Sequence, residues 1–174
     1  MAKTPEPLDT ITQYCRQEAD TAQLAQRFAF SIREGLEQNP SSHLNIALEG
    51  DLGAGKTTFA RYLIQGLGYA GKVKSPTYTL CEPYPLQVSN TQYSAHHFDL
   101  YRMKNPLEWQ EAGFNEYFDV PGFCLIEWPE KAEGTLPPFD IAVVLTAGIN
   151  EEERDILIET KSAAGLTILD TLTQ

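Results

Sequence analysis

Gly50-Asp51-Leu52-Gly53-Ala54-Gly55-Lys56-Thr57 sets two glycines five positions apart and follows them with a lysine and a hydroxyl residue. The apolar run Leu44-Asn45-Ile46-Ala47-Leu48 precedes it and reads as a buried strand. Thr58-Phe59-Ala60-Arg61-Tyr62-Leu63-Ile64 follows, with the apolar spacing of a helix. Strand, glycine loop and helix together form the context in which this pattern signals a phosphate-binding loop. The glycines let backbone N–H groups converge on one concavity, and the helix N-terminus adds positive dipole to it. In that arrangement the segment from Asp51 through Leu52, Gly53, Ala54 and Gly55 wraps the phosphates, with Thr58 behind it. Lys56 reaches the outer phosphates, and the Thr57 hydroxyl is placed to ligate Mg²⁺.

Outward from this loop, periodicity predicts a single α/β domain spanning residues 1–174, of phosphate-loop type, with residues 1–8 as a flexible tail. A first strand is expected over about Asp9–Arg16. Asp20 or Thr21 is expected to cap a helix reaching Gln38, with Leu24, Ala25, Phe28, Ile32 and Leu36 on one face. The helix after the loop is expected to end near Gly66 or Gly68. Lys74–Leu80 is expected to enter a strand, because Pro76 disfavours helix, and Pro83 to Asn90 reads as a surface loop. Tyr93–Tyr101 reads as a strand, Asn105-Pro106 opens a short helix stopping at Gly113, and Phe123–Ile126 is a buried strand. Ile141, Val143 and Leu145 alternate, as do Ile156 and Ile158, which predicts paired antiparallel strands joined around Gly148–Glu151. The expected whole is a mixed, mainly parallel central sheet flanked by helices, with the ligand at the carboxyl ends of the strands.

Bulk properties narrow the function. The net charge of −11 disfavours non-specific nucleic-acid binding, which needs many phosphate-neutralising bases. Residues 50–104 alone carry net +3, leaving −14 for the remainder, and a local positive field suits a small anion. No run of about 18 apolar residues is present, so no membrane span is expected. Met1–Thr10 has no apolar centre and does not read as a signal peptide. Cys15, Cys81 and Cys124 are widely spaced, forming neither a disulfide framework nor a zinc pattern, as in a reducing cytosol.

A phosphate loop binds; hydrolysis also needs a second Mg²⁺ anchor and a group that orients water. Asp99, in His96-His97-Phe98-Asp99-Leu100-Tyr101-Arg102, and Glu127, after Phe123–Ile126, each stand near the end of an apolar strand. Either one alone reads equally well as a turn-capping acid, whereas the pair beside a phosphate loop favours function. His96 and His97 cannot ligate one ion, since adjacent strand residues point to opposite faces. His97 shares a face with Asp99 and so lies within hydrogen-bonding range of the site. Thr77, after Ser75-Pro76, reads by spacing alone as an ordinary turn threonine.

Four blocks, Gly50–Thr58, Ser75-Pro76-Thr77-Tyr78-Thr79-Leu80, His97-Phe98-Asp99-Leu100-Tyr101-Arg102 and Ile126-Glu127-Trp128-Pro129, occur in the order and spacing of the bacterial TsaE family. The resemblance covers about Thr21 to Glu130. It implies a cytoplasmic, Mg-ATP-dependent ATPase of tRNA threonylcarbamoyladenosine synthesis. It further implies action with the TsaB–TsaD pair, which modifies adenosine 37 of tRNAs reading ANN codons. By the same resemblance Thr57 and Glu127 bind Mg²⁺, Asp99 serves turnover with Lys56, and Thr77 takes a switch-like role. Adenine is expected near the first strand-to-helix junction, around Glu18–Thr21. The stretch from Pro83 to Ser94 is longer than in such proteins, and residues 131–174 match no block.

Two other readings stand beside the ATPase: a nucleotide-dependent binding module with incidental hydrolysis, and a small-molecule kinase. The kinase lacks an Arg-rich lid, and a GTPase lacks its Asn-Lys-x-Asp motif. No residue is an obvious arginine finger, Arg61 and Arg102 being the candidates, so slow turnover alone is expected. Direct tRNA contact is disfavoured by charge, with Lys72, Lys74, Arg102 and Lys104 as the one basic patch to test.

Overall fold

The computed structural model describes residues 6–174. Seven strands form one sheet: β1 Asp9–Cys15, β2 His43–Glu49, β3 Cys81–Val88, β4 Thr91–Asp99, β5 Gly122–Glu127, β6 Ile141–Ala147 and β7 Arg154–Thr160. Their spatial order is β1-β7-β6-β2-β5-β4-β3. The central strands β6, β2, β5 and β4 run parallel, and antiparallel strands close both edges. The helices are α1 Glu18–Gln38, α2 Lys56–Gly66, α3 Glu108–Glu111 and α4 Ala163–Leu172. The mixed, mainly parallel α/β domain expected from periodicity is the one observed. Of the tail expected over residues 1–8, residues 1–5 lie outside the described residues, and the Leu8 N–H donates to Thr160 O at 2.8 Å.

The period of two along each strand sorts the core into two layers. Phe123 and Leu125 of β5 join α1, α2 and α4 in the larger cluster, around Phe28, Ile32, Phe59, Leu63 and Ile168. Cys124 and Ile126 turn to the opposite face, where Phe98, Leu100, Trp109 and Phe118 are capped by α3 and the 3-10 turns at Phe114–Phe118 and Pro129–Ala132. Continuing the same alternation, Glu127 falls on the face that carries α2. His97 and Asp99 fall there too, in step with Ala95. This parity aims three polar side chains at the N-terminus of α2.

Several local expectations are corrected. Lys74–Leu80 is not a strand: it is a turn in which the Leu80 N–H donates to Pro76 O at 3.0 Å and Leu80 sits at φ 65°, a left-handed value incompatible with continued pleating. The strand starts one residue later, and the stretch read as a surface loop forms most of it. Tyr84, Leu86 and Val88 point inward while Pro83, Pro85 and Gln87 point out. Two prolines are tolerated because β3 is an edge, where N–H groups at every second residue face away from the partner strand. Helix α1 begins at Glu18 rather than being capped by Asp20 or Thr21. Asp20 instead reaches back from the first turn, its Oδ2 accepting from the N–H groups of Arg16 at 2.9 Å and Gln17 at 3.2 Å. Helix α4 was not anticipated. Ser162 caps it by accepting from the Gly165 N–H at 3.0 Å, and it packs on α1 where Ile168 meets Gly35.

Candidate functional site

Strand β2 ends at Glu49, and the chain turns through Gly50–Gly55 into α2. Gly50 has a φ of 150°, and a Cβ there would lie 2.5 Å from Leu145 O, so no side chain fits against β6. Gly55 occupies the N-cap of α2 in the left-handed region, and no side chain caps that helix. Its first-turn N–H groups are therefore left for a ligand.

Lys56 and Thr57 open α2. The Lys56 ammonium donates to Gly50 O at 2.6 Å and Asp51 O at 2.9 Å, and lies 4.1 Å from the centre of the Trp128 ring. Burial lowers the pKa of this ammonium from the ordinary lysine value, with the Glu127 charge opposing the shift. The Thr57 hydroxyl lies 2.9 Å from Oε1 and 3.1 Å from Oε2 of Glu127, and it donates to that carboxylate. Glu127 is 2% exposed and also accepts from His97 Nε2 at 2.6 Å. Asp99 stands opposite Glu127 in the β4–β5 ladder. Burial raises its carboxyl pKa above the ordinary aspartate value, the Tyr101 N–H at 3.0 Å opposing and the Glu127 charge adding to the rise.

Lys56, Thr57, Asp99, Glu127 and Trp128 line one cleft of about 460 Å³. Its walls include Leu52, Gly53, Gly55, Lys56, Thr57, Thr58, Thr77, Asp99 and Glu127 among the residues expected from sequence. Ala54 lines a second cavity of about 330 Å³ on the β6–β7 side, together with Glu18, Thr21, Thr58, Leu145 and Glu152. Asp51 enters neither wall; its contribution is the backbone oxygen that accepts from Lys56. Thr77 lies in the turn before β3, its hydroxyl 2.6 Å from that of Ser75. Arg61 lines neither cavity, whereas Arg102 lines the larger one with its guanidinium 4.7 Å from the Tyr78 ring centre.

Arg154 was not singled out by sequence, yet it lines both cavities. Its Nε donates to Ala54 O at 2.7 Å, and its Nη1 donates to Glu151 O and Glu153 O, each at 2.7 Å. It thereby ties the start of β7 to the phosphate loop across 100 residues of sequence. An arginine following Glu151-Glu152-Glu153 looks like a partner for surface carboxylates, and only the β6–β7 pairing turns it towards the loop. Trp128 is the other unanticipated contributor. Its φ of 58° folds the ring back over Lys56 and 4.9 Å from Tyr101.

The donor set is chemically consistent with Mg-ATP. Thr57 and Glu127 offer hard oxygens of the kind that magnesium takes alongside phosphates. The glycine loop leaves backbone donors and a cation facing one concavity.

The family model for "Threonylcarbamoyl adenosine biosynthesis protein TsaE" matches residues 15–156. The tRNA threonylcarbamoyladenosine biosynthesis protein TsaE of Haemophilus influenzae is 41% identical over 136 residues, covering 78% of this chain and 82% of that protein. Its namesake from Bacillus subtilis is 39% identical over 111 residues, covering 64% and 66%. The crystal structure of Bacillus subtilis YdiB superposes with a TM-score of 0.73 at 26% identity, over 95% of both chains. With its fold, its four sequence blocks and these relatives in agreement, the chain belongs to the TsaE family of tRNA threonylcarbamoyladenosine biosynthesis.

Proposed function

We propose that this protein is a cytoplasmic Mg-ATP-dependent ATPase that acts with a TsaB–TsaD complex in threonylcarbamoylation of adenosine 37 in tRNAs reading ANN codons. The observation that carries the reading is the contact between Thr57 and Glu127 at the mouth of the glycine loop, with Asp99 beside it in the same cleft. ATP is held by residues 51–58, its outer phosphates against Lys56 and its base in the cavity bounded by Glu18, Thr21 and Leu145. Thr57 and Glu127 hold Mg²⁺, which neutralises phosphate charge. Asp99 orients a water and accepts its proton. Its burial supports that role, because a carboxyl whose pKa burial raises makes a better base. Thr77, in the turn facing the cleft, senses the outer phosphate.

The arginines support slow turnover by the isolated protein. Arg154 is occupied by backbone carbonyls, whereas Arg102 lines the cleft against the exposed Tyr78 ring and is the cation open to redirection by a partner. An arginine that stabilises transferring phosphoryl contributes about 10³- to 10⁵-fold, and a partner that supplies or redirects one would stimulate strongly. The test is phosphate release from Mg-ATP with and without TsaB and TsaD, using Lys56→Ala as the blank. Weak release that rises with the partners supports the ATPase. No release in either condition, despite tight ATP binding, leaves a nucleotide-dependent binding module. That alternative draws support from Leu52 and Tyr78, 73% and 85% exposed beside the cleft. The net charge of −11 disfavours tRNA contact, and Lys72, Lys74, Arg102 and Lys104 form the exposed basic patch that would make one; unchanged modification after all four are changed to Glu removes that contact.

A further inference from the structure

His97 has no side chain exposed to solvent, yet it sits behind the cleft rather than in its wall. Strand parity places it two residues before Asp99 on the same face of β4; its ladder partner on β5 is Leu125, and its ring reaches diagonally to Glu127. Its Nε2 lies 2.6 Å from Glu127 Oε2. A carboxylate accepts and cannot donate, so the hydrogen of this contact resides on Nε2. The other ring nitrogen, Nδ1, has no hydrogen-bond partner among the described residues. The histidine therefore makes a single polar contact, and Glu127 is its target. A fully buried imidazole with one nitrogen unsatisfied is a cost to the fold, which a simpler apolar residue would avoid.

Glu127 is held from two directions. Thr57 contacts it from the cleft side, at the helix N-terminus. His97 contacts it from the sheet side, where no other hydrogen bond to its carboxylate is made among the described residues. The two contacts differ in kind, because Thr57 is itself a proposed metal ligand whereas His97 lies outside the cleft.

We propose that His97 is the positioning residue for the metal ligand Glu127: its Nε2–H fixes the carboxylate so that the other oxygen is presented to the cleft beside Thr57. This rests on the reading of Glu127 as a Mg²⁺ ligand. Hydrogen-bonded partners of metal ligands commonly govern metal affinity by about 10- to 100-fold.

The experiment compares Mg²⁺ affinity in the presence of saturating ADP, and ADP affinity in EDTA, by calorimetry. His97→Gln and His97→Met are close in length, but only glutamine places an N–H where Nε2 stands. His97→Met is expected to weaken Mg²⁺ binding by about 10- to 100-fold while ADP affinity in EDTA stays unchanged. His97→Gln is expected to restore Mg²⁺ affinity to within about threefold of the natural protein. Should His97→Met fail to fold, His97→Asn takes its place, since its shorter amide reaches the position of Nδ1 and not of Nε2. Glu127→Gln checks the underlying reading separately: retention of full Mg²⁺ affinity there removes Glu127 as a ligand, and the positioning role with it. If Glu127→Gln loses Mg²⁺ while the glutamine variant and its non-donor counterpart at position 97 bind it equally, His97 is only a packing residue and the proposal is overturned.

Discussion

The phosphate loop is flanked by two regions that support it in opposite ways. On the β5–β4 side the contacts run between side chains: Thr57 to Glu127, and Glu127 to His97, with Asp99 next in the ladder. On the β6–β7 side a single side chain, Arg154, reaches into backbone carbonyls of the loop and of its own turn. The first region places ionisable groups at the carboxyl ends of buried strands, where burial raises the proton affinity of Asp99. The second uses a permanent cation with a fixed donor fork to hold main-chain shape. Chemistry and shape are thus divided between the two flanks, and substitutions on each side should fail differently.

The largest effect is expected on the acidic flank. Glu127→Ala should lower partner-stimulated phosphate release on the order of 10³-fold, the upper range for loss of one preorganised transition-state contact. ATP binding in EDTA should survive. If instead the variant loses nucleotide in EDTA, Glu127 maintains loop shape and the division between the flanks collapses.

Asp99→Asn comes next, with a loss of about 10²-fold in turnover, the lower range for removing a general base. It carries a second signature in stability. Burial raises the folded-state pKa of Asp99, so the unfolded chain releases this proton first as pH rises. Stability from this group is greatest below the unfolded aspartate value and is lost as pH rises through the folded one. Asparagine has no charge to bury and can still accept from the Tyr101 N–H. Asp99→Asn should therefore melt higher than the natural protein at pH 7, with the gain vanishing towards pH 3. Thermal melts across that range check it, and a variant less stable at neutral pH would make Asp99 structural.

The two flanks also differ in how far sequence disclosed them. The acidic flank was legible because Asp99 and Glu127 each stand near the end of an apolar strand. Period-two alternation along Phe123–Glu127 and Ala95–Asp99 fixes the face without any knowledge of neighbours. The His97 contact followed from the same parity. Arg154 was not legible, because its partner in the loop is the main-chain oxygen of Ala54, 100 residues away, which leaves no trace in side-chain pattern. Local propensity misled at β3 for a related reason. Pro83 and Pro85 read as loop signals until the order of the sheet makes that strand an edge. Helix α4 has its start signal at Ser162, but Gly165 in its first turn weakens the local helical preference.

Arg154→Ala should act on shape. Loss of charge-assisted bonds to Ala54 and Glu151 oxygens costs about 1.5 kcal/mol, or a melting point about 3–6 °C lower. Nucleotide affinity should weaken by about tenfold, a change of about 1.4 kcal/mol, with the turnover of bound ATP little altered. Arg154→Lys should not rescue it, since one ammonium cannot serve the carbonyls of Ala54, Glu151 and Glu153 together. A lysine variant indistinguishable from the natural protein would reduce Arg154 to a local charge.

Tyr78 tests where support ends. Its ring meets Arg102 at 4.7 Å, but the residue is 85% exposed, and no hydrogen bond joins its side chain to the loop among the described residues. Exposed substitutions of this kind usually change stability by less than about 0.5 kcal/mol. For a chain of this size that is a shift of about 1–2 °C, at the edge of what a thermal melt resolves. Tyr78→Ala should thus melt almost as the natural protein does. A drop comparable to that of Arg154→Ala would mean that the turn at Ser75–Thr79 braces the cleft as a third flank. The small expected value follows from solvent: a cation–π contact open to water keeps little of its strength, whereas Arg154 makes its contacts in the partly buried seam between loop and strand.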